Sequence, residues 1–239
     1  PENAPLTYEA SKLIEKFTGK KFSKTALSYL EYKPVKRHLE DNIFFISPKD
    51  DFRLDTILER AKFLVRRKGI KALVIDPYNR LEDESEGQNE TKYISKQLDR
   101  LTNFAQQNDV LVILMAHPTK QPRNKDGVIE APTLYDISGS ANFYNKTDFG
   151  IVVHRNRVEN TVEVIIQKVK FRHLGECGTA LFKYNLNNGR YTPYTNGVEP
   201  KWDNDNHLIE EQRRREQEAA EAAQFPWDDL PPAEDDCPF

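Results

Sequence analysis

Apolar side chains at Ala10, Leu13, Ile14 and Phe17 repeat at the i, i+3, i+4, i+7 spacing of a helix with one buried face. A short apolar run at 43–46 predicts a strand. Leu54, Ile57, Leu58, Ala61, Leu64 and Val65 predict a second amphipathic helix, with Gly69 placed to close it as a left-handed C-cap. Positions 72–75 are continuously apolar and run into Asp76-Pro77. Tyr93, Ile94, Leu98, Leu101, Phe104 and Ala105 mark a third helix, and a last apolar run at 110–116 ends in His117-Pro118. The order is strand, helix, strand, helix, strand. Short strands that are apolar on both faces and separated by helices predict a parallel sheet covered on both sides through right-handed crossovers.

The period changes after Pro132. A short helix is predicted over 134–144, then strands at 149–154, 162–170 and 179–184, joined tightly enough to be antiparallel. Asn187-Asn188-Gly189 supplies turn chemistry after the last of them, because Asn and Gly tolerate positive φ. From Lys201 the composition becomes polar. Residues 208–224 are helix-prone and charged, with Glu210/Arg214 and Glu211/Arg215 at i, i+4 and almost no apolar face. The expected class is α/β: a mostly parallel sheet flanked by helices, antiparallel strands added on its C-terminal side, then a charged helix and a disordered acidic tail. The expected boundaries are 1–196, 197–224 and 225–239.

Composition narrows the function classes. Among 239 residues, 35 Lys and Arg face 38 Asp and Glu, a formal net charge of -3, which excludes a uniformly basic nucleic-acid coat. The imbalance sits at the end: 225–239 carries Asp228, Asp229, Glu234, Asp235 and Asp236 and no basic side chain, so the remaining body is slightly positive. Two cysteines, Cys177 and Cys237, make neither a disulfide framework nor a zinc cluster, and a reducing, cytoplasmic location follows. No apolar run approaches the ~18–20 residues needed to span a bilayer, so no membrane partner is expected. Met115 is the only methionine and the chain opens at Pro1, which leads us to expect a piece of a longer protein.

In parallel α/β sheets, ligands bind beyond the carboxyl ends of the strands. Asp76 and His117 stand at two such ends. An apolar strand ending in Asp offers one hard oxygen to Mg²⁺ in a nucleoside-triphosphate site, although many strands end in Asp as a turn or cap. Lys168, Lys170 and Arg172 are spaced by two, which places them on one strand face, either as a solvated surface or as cations that reach for phosphate.

Five motifs now stand in a recognisable order: Asp76 after its apolar run; Ala116-His117-Pro118-Thr119-Lys120; Asp136-Ile137-Ser138-Gly139-Ser140-Ala141; Val153-His154-Arg155; and Lys168-Val169-Lys170-Phe171. Together they resemble the DnaB/Twinkle-type replicative helicases, ring-forming RecA-like motors, over roughly residues 1–194, and most nearly the helicase part of phage or prophage primase–helicases. The resemblance implies a RecA-like domain that couples hydrolysis of ATP (or another NTP), with Mg²⁺, to translocation on single-stranded DNA and duplex unwinding. It implies a homo-oligomer, a hexameric ring with sites shared between neighbours. A recombinase-like ATPase without unwinding and a non-hydrolysing DNA-associated scaffold are the alternatives.

Residue by residue, Glu2 in Pro1-Glu2-Asn3 resembles the glutamate that orients the attacking water, and Asp76 the Mg²⁺-associated acid. His117 resembles the γ-phosphate sensor and Arg155 an arginine at the subunit interface. Lys168 and Lys170 fall where a pair of cations reaches nucleotide in the neighbouring subunit. Position 170 is often Arg in the family, so the sequence departs there, and Arg172 is a second candidate for that role. Lys120, Arg123 and Lys125, in the loop after His117, are the implied phosphate contacts to DNA. The Gly-x-x-x-x-Gly-Lys-Ser/Thr phosphate loop occurs nowhere in the 239 residues, and the resemblance implies that it precedes Pro1 in a longer protein, leaving this piece inactive alone. Finally, Asp235-Asp236-Cys237-Pro238-Phe239 resembles the acidic tip of bacterial single-stranded-DNA-binding proteins. It implies a replication partner that binds Asp235, Asp236, Pro238 and Phe239; a solubilising tail is the alternative.

Overall fold

A computed structural model describes residues 6–48, 51–81, 90–121, 129–137, 140–195 and 197–223. Three helices come first: α1 (Leu6–Thr18), α2 (Tyr29–Asn42) and α3 (Leu54–Lys68). The α2 helix was not evident from periodicity, because Val35 is its only buried residue and Pro34 lies inside it. Its signal is local: Ser28 and Glu31 form a reciprocal capping box. The run at 43–46 forms no strand. It leaves α2 in an extended conformation at Ile43 and has no ladder partner among the described residues, while Ile46 packs partly against the core.

Helix α3 ends at Gly69, whose φ of 66° is the left-handed cap expected from sequence. Strand β1 (Ala72–Ile75), α4 (Glu90–Asn108) and β2 (Leu111–Leu114) follow, and β1 pairs with β2 in parallel, Ile75 opposite Leu114. One core joins them: Leu54, Ile57 and Ala61 from α3, Leu98, Leu101 and Phe104 from α4, and Leu73 and Ile75 from β1. Arg100 and Asp55 add an ion pair between the two helices.

The expectation of a sheet covered on both faces is met on one only. The face opposite α3 and α4 exposes Val74, Leu111, Ile113 and Met115, at 52%, 59%, 40% and 47% of their surface. The sequence pattern reported two apolar faces correctly; the described helices cover just one of them.

The helix predicted over 134–144 is broken. Thr133 and Asp136 close a one-turn 3₁₀ helix at Leu134–Asp136, Ile137 makes a β-bridge with Pro118, and α5 (Ser140–Lys146) starts after it. Strands β3 (Phe149–Asn156), β4 (Thr161–Val169), β5 (Gly178–Tyr184) and β6 (Tyr191–Pro193) form an antiparallel sheet in sequence order. The parallel part is therefore one strand pair among the described residues, beside a four-stranded antiparallel sheet. Gly150 sits where the ladder shifts register, and a Cβ there would lie 2.1 Å from Leu134 Cδ1, so a larger residue would have to displace that side chain.

The polar C-terminal segment is tied to the N-terminal helices. Asn188 is fully buried, and its Nδ2 donates to Gly19 O and Asp203 O at 3.1 and 3.0 Å. Arg190 donates through Nε to Lys16 O at 2.8 Å and through Nη2 to Asp205 O at 2.6 Å, and its Nη1 pairs with Asp203 Oδ1 at 2.8 Å. Asn206 then caps α6 (His207–Ala223) and donates to Glu31 O of α2 at 3.2 Å. Along α6, Arg215 pairs with Glu211 as expected, while Arg214 pairs forward with Glu218 at 3.3 Å rather than back with Glu210. The tail 225–239 lies outside the described residues, so its expected disorder has no structural description.

Candidate nucleotide and DNA site

Asp76 leaves the end of β1 half-buried, and among the described residues its carboxylate has no hydrogen bond or ion pair. His117 leaves β2 in the same direction, exposed at its surface. Hydrogen bonding between the two exits continues past the strands. Met115 N donates to Ile75 O at 3.0 Å, and Tyr78 N to Met115 O at 2.7 Å. His117 N then donates to the side-chain oxygen Oδ1 of Asn79 at 2.8 Å. Tyr78 also meets Phe143 of the core edge-on, with ring centroids 5.2 Å apart. The two expected site residues thus follow the neighbouring ends of one helix-backed strand pair.

The loop after His117 is anchored at its base. Thr119 N donates to Asp136 O at 2.7 Å, beside the Pro118–Ile137 bridge. On the return side, Gln167 of β4 holds two backbone groups at once: its Oε1 accepts from Leu134 N at 2.9 Å and its Nε2 donates to Pro132 O at 3.0 Å. Hydrogen bonds from the Thr133 N–H and hydroxyl hold the Asp136 carboxyl below its ordinary value. An open cleft of about 730 Å³ lies between this loop base and β3, with Thr119, Lys120, Gln121 and Ile129 on one side and Val153 and His154 on the other. Lys120 is exposed at this cleft. Arg123 and Lys125 fall outside the described residues, as does Glu2.

Arg155 is exposed on β3, opposite Val162 of β4, and close enough to Tyr191 for its charge to oppose the upward push that burial gives that phenol. The expectation that Lys168, Lys170 and Arg172 share one strand face does not hold. Strand β4 ends at Val169, and the chain turns into a 3₁₀ helix at Arg172–Leu174, so the two-residue alternation stops before Arg172. Lys168 folds back onto α5, donating to Tyr144 O and, at 3.3 Å, to Asn145 O, with its ammonium 4.9 Å from the Tyr144 ring centre. Lys170 pairs with Asp148 at 2.7 Å. Arg172 is exposed and has no hydrogen bond or ion pair among the described residues.

Among the described residues no group of three or more His, Cys, Asp or Glu side chains gathers as a metal cage. Asp76 offers one hard carboxylate oxygen, which fits Mg²⁺ held by a single protein ligand together with a substrate's phosphate oxygens. Sequence reasoning did not find Asn79 or Gln167. Gln167, next to Lys168 near the end of β4, carried no signal that set it apart from a polar strand face, and Asn79 had none beyond its place in a turn.

No described helix is long and apolar enough to cross a membrane. A family model, DnaB-like helicase C terminal domain, matches residues 10–193. The chain is 41% identical over 206 residues to the Twinkle homolog protein, chloroplastic/mitochondrial, of Arabidopsis thaliana, an alignment covering 79% of this chain and 29% of that protein. It is 26% identical over 150 residues to the DNA helicase/primase of Enterobacteria phage T3, covering 60% of this chain and 26% of that protein. The chain thus spans under a third of the length of these curated relatives.

Proposed function

Because the chain belongs to the DnaB-like helicase C-terminal domain family, we propose that it is the motor part of a replicative DNA helicase that hydrolyses ATP or another NTP to translocate on single-stranded DNA and unwind duplex. The observation that carries this reading is the pair Asp76 and His117, at neighbouring ends of a parallel strand pair whose hydrogen bonding runs on past both strands. Asp76 would hold Mg²⁺ bound to the triphosphate, and the metal when bound would neutralise charge on the phosphate oxygens. His117, at the neighbouring strand exit, would sense the terminal phosphate. The anchored loop that follows would present Lys120, with Arg123 and Lys125, to the DNA backbone. Glu2 would orient the attacking water. Arg155, Lys168, Lys170 and Arg172 would serve the nucleotide bound by a neighbouring subunit of a hexameric ring; Lys168 and Lys170 would first exchange an internal partner, whereas Arg172 has none to exchange among the described residues.

The same reading divides the chain into a RecA-like domain at 1–196, a linker and helix at 197–224 and an acidic tail at 225–239, whose Asp235, Asp236, Pro238 and Phe239 would recruit a replication partner with a basic, apolar pocket. It places the protein in a reducing aqueous compartment, the cytoplasm or the interior of an organelle such as the one in the plant relative's name. The test is hydrolysis and unwinding by the full-length protein. Hydrolysis stimulated by single-stranded DNA and abolished by Asp76→Ala is expected; hydrolysis indifferent to both DNA and Asp76→Ala defeats the proposal.

A further inference from the structure

We infer that Asn79 is a positioning residue for His117: its side-chain oxygen sets where the exit of β2, and with it the imidazole, stands relative to the Asp76 carboxylate. This rests on the reading above, in which those two residues serve one site.

At the exit of β2 the pairing passes from backbone to side chain. After Ile75 and Tyr78 have made their bonds to Met115, the β1 exit curls into a 3₁₀ turn at Tyr78–Arg80. Its next carbonyls are consumed inside that turn, Pro77 O by Arg80 N at 3.2 Å and Tyr78 O by Leu81 N at 2.9 Å. Two residues past Met115, the amide of His117 turns to a side chain rather than to either of these carbonyls. Asn79 Oδ1 takes that place at 2.8 Å. A side chain thereby adds one rung to the ladder at the point where the two strand exits would otherwise separate.

The location gives that rung its consequence. On one side of it lies Asp76, three residues before Asn79. On the other, two residues past His117, Thr119 N is bonded to Asp136 O at the base of the basic loop. A shift of the His117 backbone therefore moves the imidazole and one end of the loop base together. Asn79 is itself exposed, so removing its side chain costs little packing, and its contribution is the acceptor. Asp in its place keeps an acceptor at the same reach; Leu keeps the size and removes it.

The experiment uses the full-length protein with Asn79→Leu, Asn79→Ala and Asn79→Asp. It follows hydrogen exchange of the peptide containing His117 and steady-state hydrolysis with and without single-stranded DNA. In Asn79→Leu and Asn79→Ala the His117 amide should exchange about fivefold or more faster, the effect of one lost hydrogen bond. In both, kcat should fall roughly ten- to a hundredfold, with KM for nucleotide changed by less than about threefold. Asn79→Asp should keep the exchange protection and most of kcat. Wild-type exchange in Asn79→Leu, or faster exchange with unchanged kcat, overturns the positioning role while an active wild type leaves the broader reading standing. A wild-type protein with no DNA-stimulated hydrolysis removes the broader reading and this inference with it.

Discussion

The Lys170 ammonium lies 2.7 Å from the Asp148 carboxylate of its own chain, where β4 ends and β3 begins. About half of each side chain is exposed, 51% and 47%, so the pair contributes at most about 1 kcal/mol and exchanges readily for a phosphate. Asp148→Asn should therefore leave the unfolding midpoint almost unchanged. If Lys168 and Lys170 act across a subunit boundary, rings mixed from Lys168→Ala/Lys170→Ala and Glu2→Gln subunits of the full-length protein should recover hydrolysis that neither parent shows. Mixed rings as inactive as both parents, with subunit exchange verified, would return these lysines to a purely internal role.

Arg190 is a cation in the opposite setting, buried and fully engaged. It satisfies carbonyls at the end of α1 and in the strap before α6, with Asp203 as counter-ion. Arg190→Ala leaves those acceptors without their donor and should cost roughly 3 kcal/mol. Arg190→Lys should recover little, because one ammonium cannot span acceptors on two segments as the planar fork does. Denaturant unfolding of the three proteins measures this, and a loss below about 1 kcal/mol in Arg190→Ala would show the lock to be dispensable.

Much of this architecture was legible in the sequence, and the failures share a cause. Strands β1 and β2 and helices α3 and α4 follow from apolar periodicity because they bury one another in a single core. Asp76 and His117 could be placed at strand ends for the same reason. Helix α2 escaped because its stability comes from the Ser28–Glu31 box rather than from an apolar stripe. The run at 43–46 misled because an apolar tetrapeptide can run extended and only partly covered, without pairing. Arg190, Asn188, Gln167 and Asn79 escaped because each binds backbone groups far away in sequence, and no local pattern records that. The shared face assumed for Lys168, Lys170 and Arg172 failed where the strand stopped.

The capping box of α2 makes a pH prediction. The Lys20 ammonium at 2.6 Å, with the hydroxyl and N–H of Ser28, holds Glu31 at about 2, against an ordinary 4.5. A carboxyl depressed on folding contributes stability that is fully present above its unfolded value. That contribution is lost as the pH falls from about 4.5 towards about 2. Glu31→Gln keeps the reach to Ser28 but not the charge. The mutant should be less stable than wild type near neutral pH, and the two should converge as acid is added. Thermal unfolding between pH 7 and pH 3 checks this; a gap that stays constant over the range would mean that Glu31 acts through shape alone.

The loop after His117 supplies the last prediction, on DNA. Its base is fixed by the Thr119–Asp136 and Gln167–Leu134 hydrogen bonds, so Lys120 follows directly on a held frame. Lys120 is exposed at the cleft, and Arg123 and Lys125 follow within five residues. If these groups meet phosphates, each contact releases bound counter-ions. Binding to single-stranded DNA then weakens with salt, by about 0.7 in log–log slope per contact. In the full-length protein, replacing all three by Ala should flatten the slope by roughly 2 and weaken affinity most at low salt. Replacing Gln167 by Leu removes no charge and releases the return side of the loop. It should lower affinity while leaving the slope near that of wild type, separating placement of the loop from its charge. An unchanged slope and affinity in the triple mutant would put the DNA on another surface of the protein.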